Sequence, residues 1–240
     1  MIPAEHRKWA DWIFYFYISA LFKRHFYSIY LLKPIPAFDL SKPVLLLPNH
    51  SSWWDGFFIY VLNKRYIKRR VFLMMLEEQL KKNSFFRYLG AYSVNQGNSR
   101  DVKQSLQYTI DLLNGREGNP LVCFFPQGEL LPWNKRPLNF RRGLEYILDH
   151  IKSEVQICFL GIRIEFLNEQ RPEVFTQFSS VKYVNSSTHY SIQALESEFD
   201  SQLSHMEQKI IEGAESEVLF HGRKSVNERF HTFWKNGDNS

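Results

Sequence analysis

Apolar positions along the chain fall into short runs separated by stretches of helical periodicity. Val44–Leu47 is four consecutive apolar residues closed by Pro48. Proline removes a ladder donor, so this pattern predicts a buried strand with an abrupt end. Val71–Met75, Gly90–Val94, Leu121–Phe125 and Ile157–Ile164 read as further strands, and Val181–Val184 as a weaker last one. Helical patterns lie between them. Trp53–Lys64 is apolar from its start, and Glu77–Arg87 opens on acidic and closes on basic residues, as the helix dipole prefers. Asp101–Leu113 sets Val102, Leu106, Ile110 and Leu113 on one side, and Arg142–Ile151 follows. Strands alternating with helices of this length predict an α/β fold, with a mostly parallel or mixed central sheet flanked by helices. After Gln170 the pattern loosens, until Leu195, Phe199, Leu203, Met206, Ile210 and Ile211 recur at the spacing of an amphipathic helix that covers the core.

The amino-terminal stretch breaks the alternation. Ile13–Phe22 is apolar or aromatic at every position except Ser19, Lys23–His25 interrupt it, and a second aromatic run, 26–32, follows. Such a run is too short for a bilayer core of ~30 Å, which needs about 20 residues. With Trp and Tyr at its edges and cations between, it predicts a monotopic helix or helical hairpin lying in a membrane interface. A helix buried in the core is the competing reading. Pro34 and Pro36 end the segment. The expected organisation is an interfacial helical element over 1–36, an α/β domain over 37–185 and a helical segment over 186–240 packed on it, the final ten residues being frayed.

Composition narrows the function classes. At 240 residues the chain can bury one sizeable core. The aromatic share of 16% suits membrane interfaces as well as cores. Net charge is +5, with clusters at Lys64, Arg65, Lys68–Arg70, at Lys81 and Lys82, and at Arg141 and Arg142. Basic clusters among aromatics fit nucleic acid or an anionic lipid surface. No helix-turn-helix, zinc-finger or RNP-like pattern occurs, which favours the anionic membrane and no nucleic acid. Cys123 and Cys158 both sit in strand-like apolar runs, which implies buried thiols in a reducing compartment and no metal site. No secretory leader is evident. The expected location is therefore peripheral, on the cytoplasmic face of a membrane.

The candidate chemistry lies at the exit of the first strand. Asn49, His50, Ser51 and Ser52 suit a loop and helix cap, and Asp55 falls in the first helical turn. A loop followed by a helix lets groups five residues apart turn toward each other. A carboxylate then holds an imidazole in one tautomer, leaving the other ring nitrogen as a general base. A structural histidine beside a capping aspartate is the plainer alternative for that spacing. Gly-x-Ser-x-Gly, Gly-x-Gly-x-x-Gly, Walker A and His-Glu-x-x-His are absent, which removes the common serine-hydrolase, nucleotide and zinc readings. A base without an evident protein nucleophile suits direct attack by an acceptor hydroxyl on an activated acyl group.

Asn49-His50-x4-Asp55, followed by Phe125-Pro126-Gln127-Gly128-Glu129 and Phe140-Arg141-Arg142-Gly143, resembles the glycerolipid acyltransferase superfamily, the 1-acylglycerol-3-phosphate acyltransferases and their relatives. The resemblance runs from about Val44 to about Arg163. It implies His50 as base, Asp55 as its orienting partner, acyl-CoA or acyl-carrier protein as donor, a lysolipid or other lipid as acceptor and no bound cofactor. It also implies that Asn49, Gln96, Arg100, Gln127, Gly128, Glu129, Arg141 and Arg142 bind the acceptor or brace the site. Backbone amides of 49–52 and of the Gly128 turn are candidate oxyanion donors. The chain departs from the family blocks at Gln96, where arginine is expected after Gly90, and at Gln127, Glu129 and Leu130, where the family has Glu, Thr and Arg. Losing cations weakens a phosphate grip; Arg100, Lys135, Arg136, Arg141 and Arg142 are the cations at hand to replace it. The resemblance thus points to an acyltransferase with an altered acceptor, the alternative being a catalytically silent membrane-binding relative.

Overall fold

In the computed structural model, which describes residues 1–187 and 190–224, the apolar runs pair into one sheet. The elements in order are α1 (Lys8–His25), β1 (Ser28–Leu32), β2 (Val44–Pro48), α2 (Asp55–Leu62), β3 (Val71–Leu76), α3 (Glu77–Lys82), β4 (Ala91–Val94), α4 (Ser99–Asp111), β5 (Leu121–Cys123), α5 (Gly143–His150), β6 (Val155–Glu165), β7 (Glu173–Phe178), β8 (Lys182–Val184), α6 (Ile192–Ile211) and β9 (Ser216–His221). The strand order is β4-β3-β5-β2-β6-β7-β1-β9, with β8 also paired to β6. From β4 to β6 every neighbour is parallel. β7 joins β6 antiparallel, β1 joins β7 parallel, and β9 closes against β1 antiparallel. The expected α/β fold with a mostly parallel sheet is what forms.

Both faces of this sheet are covered, which is why its strands are apolar without alternation. In β2 all five positions are buried. Leu45 and Leu47 face a core built with Leu106 and Ile110 of α4, Leu144 of α5 and Phe199 of α6. Val44 and Leu46 face the opposite core, with Phe14 and Phe22 of α1 and Phe58 of α2. α6 covers the sheet through Leu195, Phe199, Leu203 and Met206, and the Phe199 ring stacks on Phe159 of β6 at 4.8 Å.

Three strands depart from expectation. Ser28–Leu32 extends instead of continuing the amino-terminal helix, because Ile29 and Leu31 bury between β7 and β9 and Thr176 Oγ1 donates to the Tyr30 carbonyl at 2.8 Å. Phe26 already has extended backbone. β7 and β9 lie where the pattern loosens after Gln170. The expectation for the last ten residues falls outside the described part of the chain.

α1 combines features of both readings of its segment. Ala10, Phe14, Ile18 and Phe22 are buried, whereas Trp9, Trp12, Ile13, Tyr15, Phe16 and Tyr17 are exposed. Among the described residues no helix is long and apolar enough to cross a membrane. α1 runs antiparallel to α2: Phe14 meets Tyr60, Phe22 meets Phe58, and His25 meets Trp54, with ring centroids 4.9, 5.3 and 5.3 Å apart. Its carboxyl end therefore lies beside the start of α2.

Candidate active site

The parallel strands deliver their carboxyl ends to one edge of the sheet, the edge where α/β folds assemble sites. At the end of β2, Asn49 hooks onto β6: its Nδ2 donates to the Ile162 carbonyl at 3.0 Å and its Oδ1 accepts from Ile162 N–H at 2.7 Å. Asn49 is thus a buried brace that fixes where the next residue emerges. That residue is His50.

Residues 51–54 turn the chain, and the helix begins at Asp55, two residues later than the apolar pattern suggests. No side chain caps it from outside. Instead Asp55 folds back: Oδ2 accepts from the N–H groups of Ser51 and Ser52 at 2.8 and 2.9 Å, and Oδ1 accepts from Ser52 Oγ. The side chain is completely buried, yet its lone pairs are well occupied and it sits at a helix amino terminus, which favours negative charge. Oδ2 also lies 2.9 Å from His50 Nδ1. Against an ionised carboxylate Nδ1 carries the proton, so Nε2 keeps a free lone pair. The ring stacks on Phe125 at 4.2 Å, and Nε2 has no hydrogen-bond partner among the described residues. His50 is 26% exposed, so the pair is held rigidly but open to an incoming group.

The loop after β5 clamps this histidine from both sides. His50 N–H donates to Gln127 Oε1 at 3.2 Å, and Leu131 N–H donates to the His50 carbonyl at 2.8 Å. Gln127 is buried. Gly128 turns the loop at φ 70° with its N–H on the Phe125 carbonyl, and Gln96 Nε2 donates to its carbonyl at 2.9 Å. Arg141 ties the loop on the other side, through Nε to the Gln127 carbonyl at 3.2 Å and Nη2 to Glu129 Oε1 at 2.6 Å. The structure therefore gathers His50, Asp55, Asn49, Gln96, Gln127, Gly128, Glu129 and Arg141. Arg100 and Arg142 stay exposed without an ion pair among the described residues, and Arg136 is committed to Asp200.

The expected oxyanion donors need correcting. The N–H groups of Asn49, His50, Ser51, Ser52 and Gly128 are all spent on Leu160, Gln127, Asp55, Asp55 and Phe125 respectively. The turn consumes them in holding Asp55 and its own shape. Sequence reasoning also missed Phe125 under the ring and Leu131 on the His50 carbonyl. Phe125 adjoins the Pro126-Gln127-Gly128 block and could be sought there, whereas nothing in the residue type marks Leu131.

Gly128 permits a direct test of this clamp. A Cβ there would lie 3.1 Å from Arg141 Cγ in left-handed backbone. Gly128→Ala is expected to cost about 1–2 kcal/mol and to lower the melting temperature by a few degrees; an unchanged melt would mean the turn relaxes freely.

The acyltransferase family model matches residues 23–160, more than half of the chain and the whole of the loop pair around His50. The chain belongs to the acyltransferase family. Among solved structures it is similar to the crystal structure of the 1-acyl-sn-glycerophosphate (LPA) acyltransferase, PlsC, from Thermotoga maritima, at 14% identity and TM-score 0.47, over 74% of this chain and 70% of that one. No curated protein sequence matches it.

Other nucleophiles of this acyltransferase are poorly suited to chemistry. Cys123 and Cys158 are free and buried, and burial pushes the Cys158 thiol up to about 12 and Cys123 higher still. Neither supplies thiolate at neutral pH. Among the described residues no group of three or more His, Cys, Asp and Glu side chains converges to hold a metal ion.

Proposed function

We propose that this acyltransferase moves a fatty acyl chain from acyl-CoA or acyl-carrier protein to the hydroxyl of a lysophospholipid or related lipid, working peripherally at the cytoplasmic face of a membrane. The observation that carries the reading is the His50–Asp55 pair, with Nδ1 held at 2.9 Å and Nε2 free at an open edge. Nε2 takes the proton of the acceptor hydroxyl as its oxygen attacks the thioester carbon. The tetrahedral intermediate collapses with loss of thiolate, which takes that proton from the imidazolium. An ester and a thiol result, with no covalent enzyme intermediate. Buried Asp55 offsets the transient positive charge on the ring.

The loop beside His50 bears on the acceptor. Gln96 and Gln127 are neutral, and Arg141 is already paired with the half-exposed Glu129 carboxylate. An added phosphate dianion would have to compete with Glu129 for that guanidinium. This supports a zwitterionic or uncharged lipid headgroup over lysophosphatidic acid.

Thiol release from palmitoyl-CoA or a palmitoylated carrier protein in detergent micelles, with lysophosphatidic acid, lysophosphatidylcholine, a glycolipid or no acceptor, tests both parts. Acceptor-dependent release with an ester product is expected, greater with the zwitterionic or uncharged acceptors. Release indifferent to any hydroxyl acceptor would make the protein a thioesterase and sink the reading.

A further inference from the structure

The loop between β5 and α5, residues 124–142, is irregular and carries Gln127, Glu129, Leu131 and Arg141 of the site. Its neck closes where Arg141 N–H donates to the Pro126 carbonyl at 2.8 Å. The stretch beyond Leu131 is fixed by α6. Glu196 of this helix places one carboxylate oxygen on each of two consecutive amides, Asn139 N–H at 2.9 Å and Phe140 N–H at 3.0 Å. One turn along, Asp200 pairs with Arg136 of the loop, and further on Glu207 pairs with Arg163 of β6 at 2.6 Å.

The two arginines converge on one residue. Arg136 Nη1 donates to the Trp133 carbonyl at 2.8 Å, and the Arg163 guanidinium lies over the Trp133 ring, 5.2 Å from its centroid. Trp133 is half-buried, gripped by its backbone from one arginine and by its ring from the other. Each guanidinium is itself oriented by carboxylates, Arg136 by Asp200 and Arg163 by Glu165 and Glu207. A planar guanidinium held in this way presents its face and its remaining N–H groups in fixed directions, which a lysine ammonium does not. Ion pairs as exposed as these add little to stability. Their convergence on Trp133 therefore matters as geometry.

That geometry leads to the base. Trp133 lies two residues from Leu131, whose N–H holds the His50 carbonyl at 2.8 Å. Arg163 directly follows Ile162, onto which Asn49 hooks beside His50. Both supports of His50, the one through Asn49 and the one through Leu131, are thus referred to the same point of β6.

We propose that Arg163 and Arg136, each paired with a carboxylate of α6, are positioning residues of the transfer reaction, holding Trp133 by its ring and its carbonyl so that Leu131 fixes the His50 backbone and the aim of Nε2. This rests on the reading of His50 as the base and names the residues that set its place. Neither arginine touches the reacting groups, and each acts through Trp133.

The test measures initial rates of thiol release from palmitoyl-CoA with lysophosphatidylcholine in micelles, beside the ¹⁵N spectrum of histidine-labelled protein and a thermal melt. The His50 ring signals are identified by their loss in His50→Ala. Arg163→Met and Trp133→Leu are each expected to lower kcat about tenfold with KM for the thioester unchanged, against the ~10²-fold that a full 1 Å misplacement costs. Each should also move the His50 ring signals. Trp133→Phe keeps an aromatic face for the guanidinium and should restore most of the rate. Combining Arg163→Met with Trp133→Leu should cost no more than the larger single loss, since both break one contact. Should Arg163→Met fail to fold, the comparison of Trp133→Leu with Trp133→Phe decides.

A lower melting temperature with wild-type kcat and unmoved His50 signals would make the grip purely structural and overturn the proposal. So would a fully additive double variant, or a Trp133→Phe protein as slow as Trp133→Leu. If the His50 signals move in the variants of a protein that transfers no acyl chain, the proposed reaction falls and the positioning stands. If wild type transfers and the variants match it in rate and signals, the positioning alone falls.

Discussion

Replacing His50 by alanine is expected to reduce acyl transfer by about 10²–10⁴-fold, the usual worth of a positioned general base. At ~1.36 kcal/mol per factor of ten this is roughly 2.7–5.4 kcal/mol of barrier. The loss should appear in kcat and not in KM for the thioester, because the base acts on the hydroxyl proton in the transition state. The fold should survive. The ring is partly exposed, its one hydrogen bond runs to Asp55, and the clamp by Gln127 and Leu131 uses backbone atoms that alanine keeps. Initial rates of thiol release beside a thermal melt check both statements. A His50→Ala protein of near wild-type rate would remove the mechanism.

Asp55 should prove costlier, and in two currencies. Its carboxylate is completely buried and accepts from Ser51 N–H, Ser52 N–H and Ser52 Oγ besides facing His50. Asp55→Ala strands these donors at the head of α2, at ~1–3 kcal/mol for each buried group left unmade. Against a typical total stability of ~5–15 kcal/mol, a loss of several kcal/mol leaves little folded enzyme on warming. Asp55→Asn separates the two roles. It keeps one acceptor oxygen but no charge to hold Nδ1–H, so activity should fall on the order of 10³–10⁴-fold with a smaller loss of stability. Denaturant unfolding of both variants beside their rates makes the comparison. If Asp55→Ala melted like wild type, the turn would owe nothing to these bonds.

How much of this was legible beforehand depended on whether the determinant was local. The β2 strand, its stop at Pro48 and the meeting of His50 with Asp55 follow from residues within a dozen positions, so pattern and spacing suffice. The amides of 49–52 show the limit. Their number and place are evident, but whether they are free depends on the turn, and the turn spends them on Asp55 and Gln127. β1, β7 and β9 were illegible for another reason. Ser28–Leu32 follows an aromatic helix without a polar break, and only its burial between strands from residues 173–178 and 216–221 makes it extended. Tertiary context of that range overrides local propensity. Gln127 and Glu129 stand out in the sequence as departures and Arg141 as a cation at hand, yet their mutual ties, which decide what the loop offers an acceptor, come only from the folded chain.

The place of β1 between β7 and β9 also bears on how the chain is made. About 140 residues separate Leu32 from the start of β7. At ribosomal speeds of ~5–20 residues per second, β1 waits on the order of ten seconds for its first sheet neighbour, and longer for the second. Throughout that interval the aromatic-rich segment before it has neither its sheet nor its full helical cover, while α2 and the β2–β5 region are already available to fold. The aromatic segment before β1 thus stays without its sheet neighbours for that whole interval, and slowing translation before residue 173 would lengthen its exposure.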